Sequence, residues 1–156
     1  MAEKKIKNEL QSDYRLIGFA TSMREYKLCF HLNKILEADF RKLKDLTFET
    51  SDRSRKMEFS VLISSGNEQK NDYIVFSNKN LGDVLLPEIV QFDYVMKVSG
   101  KISDEEISEQ LEVIGQLPDM MLCKEIELKK IKNKERLEYE EEKVTQKLMR
   151  VKKRLI

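Results

Sequence analysis

Residues 85–100 read LLPEIVQFDYVMKVSG. From Val90 onward the stretch alternates. Val90, Phe92, Tyr94, Met96 and Val98 fall on one parity, and Gln91, Asp93, Lys97 and Ser99 on the other. That period of two predicts a strand with one face on a core and a wet face toward solvent. Pro87 has no backbone donor, so the regular strand is expected to begin after it, or the segment is an edge with a bulge. On this reading Glu88 stands where the strand begins, Asp93 meets water or a cross-strand cation, and Tyr94 packs inward with its hydroxyl satisfied at the rim.

Two carboxylates in one stretch raise the question of an acid/base pair. Five extended residues span about 17 Å and would leave Glu88 and Asp93 on opposite faces, whereas paired catalytic carboxyl groups sit about 5–9.5 Å apart. A helical path fails as well, because an offset of five turns the two side chains about 140° apart. Asp93 and Tyr94 remain as a polar pair that a strand could present at a binding edge.

Working outward, Asp72–Asn78 (DYIVFSN) is apolar and β-branched, and Met57, Phe59, Val61 and Ile63 share a parity. The turn-rich SSGNEQKND between them makes residues 57–78 a predicted hairpin. LTFE at 46–49 could add a short strand. Near the start, Tyr14–Thr21 (YRLIGFAT) is apolar on both parities, as expected of a strand buried on both faces. Ser22-Met23-Arg24-Glu25 has the S-x-x-E form of a capping box, and Leu28, Leu32, Ile35 and Leu36, with Cys29 alongside, define one helical face. A second such box, Ser103–Glu106, precedes Ile107, Leu111 and Ile114, until Gly115 and Pro118 stop the helix. Met120, Leu122, Ile126 and Leu128 alternate in a final predicted strand. From Lys132 the chain is charged, acidic first and basic last, as the dipole of a C-terminal helix favours. Leu137, Val144, Leu148, Val151 and Leu155 form its narrow apolar stripe, a candidate interface that could pack back on the domain or meet a partner.

These patterns predict an α+β fold: a largely antiparallel sheet of five or six strands, helices near 22–37 and 103–115 covering one face, and a C-terminal amphipathic helix from about 134. The organisation expected is a charged segment over 1–13, a domain over 14–131 and the charged helix over 132–156.

With 29 Lys and Arg against 28 Asp and Glu, the net charge is +1, which removes any whole-molecule attraction for nucleic acid or anionic membrane. Apolar residues at 40% suffice for one folded domain of 156 residues. MAEKKIKNELQSD has no signal-peptide core, and no window approaches the roughly 20 apolar residues of a membrane helix. Cys29 and Cys123 do not have the spacing of a disulfide framework, so a reducing cytoplasm is the expected location.

His31 is the lone histidine. On the predicted helix it lies about 200° around from Cys29, which forbids a dyad, and no zinc-type spacing occurs. The glycines form no phosphate-binding loop. No cofactor and no metal are therefore expected. An enzyme would have to assemble Glu88, Asp93, His31 or Asn33 from separate elements. Two basic clusters, Arg53, Arg55 and Lys56, and Lys147, Arg150, Lys152, Lys153 and Arg154, could touch phosphates, although stacking aromatics are not interleaved with them.

Leu86–Tyr94 (LPEIVQFDY) resembles the signature of the bacterial IPExxxVDY family, with Leu86 in place of its Ile and Phe92 in place of its Val. YRLIGFA, YKLCFHLNKIL, DYIVFSNK and Gly100 are similar to that family's segments in order and spacing, and the likeness covers about Tyr14 to Lys132. The charged C-terminal helix is longer than the family's usual ending. The resemblance implies a small, cytoplasmic, bacterial protein without an assigned role. It marks Pro87, Glu88, Asp93 and Tyr94, with Asn33 and Asn78 in the flanking segments, as motif or interaction residues. The function expected is a non-catalytic interaction or scaffold module with a protein partner or a second copy, bound through the sheet edge around Pro87–Tyr94 or the terminal helix, with no membrane role. The alternative is an RNA-associated accessory factor acting through the basic clusters.

Overall fold

A computed structural model describes residues 14–65 and 71–137. In chain order the elements are β1 (Tyr14–Thr21), α1 (Glu25–Leu36), β2 (Arg41–Glu49), β3 (Lys56–Ser64), β4 (Asp72–Ser77), β5 (Lys79–Asn80), β6 (Asp83–Val84), a 3₁₀ turn (Pro87–Ile89), β7 (Tyr94–Ser99), α2 (Asp104–Gly115), β8 (Met120–Ile126) and a second 3₁₀ turn (Leu128–Lys130). The fold is α+β. Six strands form one sheet in the order β2-β3-β4-β7-β1-β8, with antiparallel pairing throughout, and β5 and β6 make a separate small ribbon. No helix among the described residues is long and apolar enough to cross a membrane.

The sheet separates two apolar cores. On one side Ile17, Phe19, Leu62, Val75, Met96 and Val98 meet Leu28 and Leu32 of α1 and Ile107 and Ile114 of α2. On the other, Leu16, Phe59, Val61, Ile74, Phe76 and Val95 meet Leu85, Leu86, Ile89 and Phe92, then Ile131 and Leu137. The helices thus cover one face as expected. Two irregular segments, the LLPEIVQF stretch and the chain after β8, cover the other.

That second cover corrects the reading of residues 85–100. β7 begins only at Tyr94, Pro87–Ile89 is a 3₁₀ turn, and Val90 is half exposed rather than in the core. Within β7 the face assigned to water is covered, with Lys97 buried and Ser99 half-buried. Lys97 is 1% exposed, flanked across the sheet by Leu16 and Ile74, with Nζ 4.0 Å from the centroid of the Tyr14 ring. A lysine can enter such a position because its methylene stem packs like an apolar chain and an aromatic face attracts its ammonium. Nor is β7 an edge: it lies between β4 and β1 and is paired on both sides. The edges are β2 and β8.

The first helix starts later than its sequence signal. Arg24, not Ser22, is its N-cap, and no side chain caps it. The hydroxyl of Thr21 accepts from Met23 N–H at 3.1 Å, and Glu25 turns to Ser60 and Lys42 instead of to its own backbone. The second serine caps its helix as expected: Ser103 Oγ accepts from Glu106 N–H at 3.1 Å. The 57–78 hairpin is present as β3 paired with β4, and LTFE belongs to the longer β2. In β8, Leu122 is exposed rather than inward, beside a register irregularity at Ala20/Thr21.

Leu137 is fully buried in the core, past residue 131, so it packs on the domain instead of offering a free interface. Val144, Leu148, Val151 and Leu155 lie outside the described residues, as do Lys147, Arg150, Lys152, Lys153 and Arg154 and the segment 1–13.

Candidate functional site

The residues marked by the motif divide into a structural hub and one cleft. Asn78 follows β4 directly and is fully buried. Its Nδ2 donates to the carbonyls of Ile89 (3.1 Å) and Phe92 (3.0 Å), and its Oδ1 accepts from Leu86 N–H (2.8 Å). Its backbone adds two more bonds, N–H to the Asp93 carbonyl and carbonyl from Leu85 N–H, both 2.8 Å. One amide side chain therefore supplies the partners that a buried, irregular loop would otherwise lack. Phe92 seats that loop on the sheet over Gly18, where a Cβ would lie 2.6 Å from the ring.

Asp93 ties the loop to β1. Its N–H donates to the Phe19 carbonyl, and its Oδ2 accepts from Thr21 N–H, both at 2.8 Å. Its Oδ1 lies 3.4 Å from Nζ of Lys79, a cation on β5 rather than across the sheet. Glu88 sits partly buried on the 3₁₀ turn, with Oε2 shielded and without a hydrogen-bond partner. The two carboxylates share no partner. Asn33 acts elsewhere, joining α1 to β2: its Oδ1 accepts from Phe40 N–H (2.5 Å), and its Nδ2 faces the Phe40 carbonyl (3.4 Å). The ring of His31 meets Phe30 edge-on at 5.5 Å. Glu88, Asp93, His31 and Asn33 thus have separate surroundings and are not gathered into one site.

Tyr94 points the other way from the hub. Its hydroxyl donates to the Met23 carbonyl at 2.9 Å, and burial, reinforced by the charges of Glu25 and Asp93, pushes its pKa up to about 12. It lines a cleft of about 600 Å³ together with Arg24, Glu25, Tyr26, Cys29, Lys42 and Leu62. Inside the cleft Glu25 is bonded by the Ser60 hydroxyl and paired with Lys42 Nζ at 3.0 Å, which raises the Lys42 pKa. The Cys29 thiol donates to the Phe40 carbonyl at 3.3 Å, and burial pushes its pKa up. A thiol held in its protonated form is a weak nucleophile. Cys123 is raised further, to about 12, by burial.

An exposed aromatic pair on α1, of which Tyr26 lines the cleft, is what sequence reasoning missed. Tyr26 is 74% exposed and Phe30 63%, four residues apart on α1, so they form one aromatic ridge on the solvent side of the helix. The signal was present in EYKLCFHLNKIL as a second apolar stripe opposite Leu28 and Leu32. Of the hairpin basic cluster, Arg53 and Lys56 are exposed, and Arg55 is held by Asp83 through two bonds of 2.6 Å, which hold the Asp83 pKa below the usual range. Among the described residues no group of three or more His, Cys, Asp or Glu is placed to hold a metal ion. No family model, curated protein or solved structure matches the chain.

Proposed function

We propose that the protein is a non-catalytic interaction module that takes an apolar side chain of a protein partner into the cleft beside α1. The observation that carries this reading is the Tyr26 and Phe30 ridge. Exposed aromatics one helical turn apart, of which Tyr26 lines a concavity walled by Leu62, Cys29 and Tyr94, are the kind of anchor and pocket that dominate protein recognition. Arg24 at the same cleft, which no carboxylate pairs among the described residues, favours an acidic residue beside the inserted side chain. The motif residues Asn78 and Asp93 support the module from behind, since their polar groups are used in holding the loop and β1 together.

Selection of random peptides displayed on phage tests the reading. Peptides with one large apolar residue flanked by acids should be enriched, and they should bind the Tyr26→Ser/Phe30→Ser variant at least tenfold more weakly while its thermal midpoint stays unchanged. Enriched peptides that bind the variant equally well would refute the cleft. Salt-sensitive binding of a uridine oligonucleotide, lost in the same variant, would move the assignment to RNA, because Lys27 and Lys34 interleave with these aromatics.

A further inference from the structure

The two helices that cover one face of the sheet carry free charges of opposite sign. We infer that a second copy of the chain is the partner of the cleft: α2 of each copy docks beside α1 of the other, with Val113 entering the other copy's cleft. The inference rests on the reading of the cleft as a protein-recognition site, and it names what that site takes.

α2 carries five carboxylates, Asp104, Glu105, Glu106, Glu109 and Glu112, and no cation; Lys101 lies before its N-cap. Asp104 is paired with Arg15, and the Ser103 hydroxyl reaches Glu106. Glu105, Glu109 and Glu112 are exposed and have no cation partner among the described residues. Ile107 and Ile114 turn inward, and Val113 is left 43% exposed, next to Glu112 and one turn after Glu109. An apolar side chain flanked by acids is the chemistry that the cleft selects. α1 has the opposite character. Glu25 is held by Ser60 and Lys42, and Lys27 lies 3.7 Å from Asp119. Arg24 at the N-cap and Lys34 in the last turn are exposed and unpaired among the described residues, and the free acid, Glu37, stands past the last turn as the C-cap. Two α2 surfaces would set carboxylate against carboxylate, so the charges select α1 against α2 of the other copy.

The placement of the helices makes the contact reciprocal. Leu28 and Leu32 of α1 and Ile107 and Ile114 of α2 belong to one core, so both helices lie on the same side of the sheet. Receptor and ligand therefore face the same way. One two-fold rotation lets each copy fill the cleft of the other, and the assembly closes at two. A receptor and a ligand on opposite faces would instead propagate from copy to copy. Tyr26 and Phe30, 74% and 63% exposed in one molecule, become the apolar part of the contact, and the charged residues of both helices surround it.

Sedimentation equilibrium of the full chain tests this with charge reversals at exposed positions, each variant first matched to the unsubstituted chain by circular dichroism. The unsubstituted chain should sediment as a dimer of 18.5 kDa protomers. Arg24→Glu/Lys34→Glu and Glu109→Lys/Glu112→Lys should each raise the dissociation constant at least tenfold, because like charges then meet at both contacts. Mixed one to one, the two variants should recover the dimer to within threefold, since each contact of the mixed pair again joins opposite charges. A monomeric unsubstituted chain, a dimer that the reversals leave intact, or a mixture that stays apart would overturn the inference. The Tyr26→Ser/Phe30→Ser variant separates the two readings. A monomeric chain whose phage-selected peptides are lost in this variant leaves the cleft standing and removes the second copy as its partner. A dimer that follows the charge reversals but ignores this variant keeps the pairing of the helices and removes the cleft, and with it the entry of Val113.

Discussion

Asn78 concentrates the largest number of consequences in one side chain. Replacing it with Ala would leave the N–H of Leu86 and the carbonyls of Ile89 and Phe92 without their partner in a buried loop. Each unmet buried group costs about 1–3 kcal/mol when nothing replaces the bond, less where water enters. Asn78→Ala is therefore expected to destabilise the fold by about 3 kcal/mol, measured as a shift of the urea midpoint at unchanged slope. Asp would keep an acceptor for Leu86 but no donor for the two carbonyls, so Asn78→Asp should rescue little. None of this could be read from Asn78 alone, since a lone asparagine after a strand signals a turn as readily as a buried hub. Pro87 was more informative. Its missing donor pointed to a strand beginning later, and the chain does turn at Pro87–Ile89 before β7 starts at Tyr94.

At the scale of elements, the two S-x-x-E boxes had equal sequence signals and different outcomes. Ser103 caps α2, whereas Ser22 caps nothing because Glu25 is drawn to Ser60 and Lys42 on neighbouring strands. A cap is worth about 1 kcal/mol. Ser103→Ala should therefore lower stability by about that amount in chemical denaturation, and Ser22→Ala should leave it unchanged. Equal losses for the two variants would contradict the assignment of Arg24 as the first helix's N-cap. β7 was misread for a related reason. The alternation of Val90 and Phe92 imitates the period of a strand, while their environment is a loop folded around Asn78, and local periodicity cannot tell the two apart. The hairpin of β3 and β4 and the buried β1 were legible because their apolar runs are long, flanked by turn residues, and not in competition with a polar hub.

For the molecule as a whole, the decisive feature is that the sheet is covered twice. The helical cover was readable from amphipathic spacing. The second cover was not, because the spacing of its apolar residues, Val90 and Phe92 as in a strand and Leu137 as in a free helix, does not say which of them pack on the sheet. Leu137 belongs to that cover and is fully buried. Leu137→Ala should cost about 2–4 kcal/mol, as large-to-small changes do in cores. Thermal denaturation would test this, and a change smaller than about 1 kcal/mol would mean that the chain after β8 contributes little to the core. The candidate cleft was half legible. Tyr94 came from the motif, but its neighbours Leu62 and Lys42 reach it only through the order of strands in the sheet, which no single segment encodes.

The position of β1 has a consequence for how this protein is made. The strand is the first element described, yet both of its neighbours, β7 and β8, lie more than 70 residues further on. During synthesis YRLIGFAT leaves the ribosome long before either neighbour has been translated. The sheet therefore closes only once β8 has emerged, and until then this apolar segment has no strand to pair with.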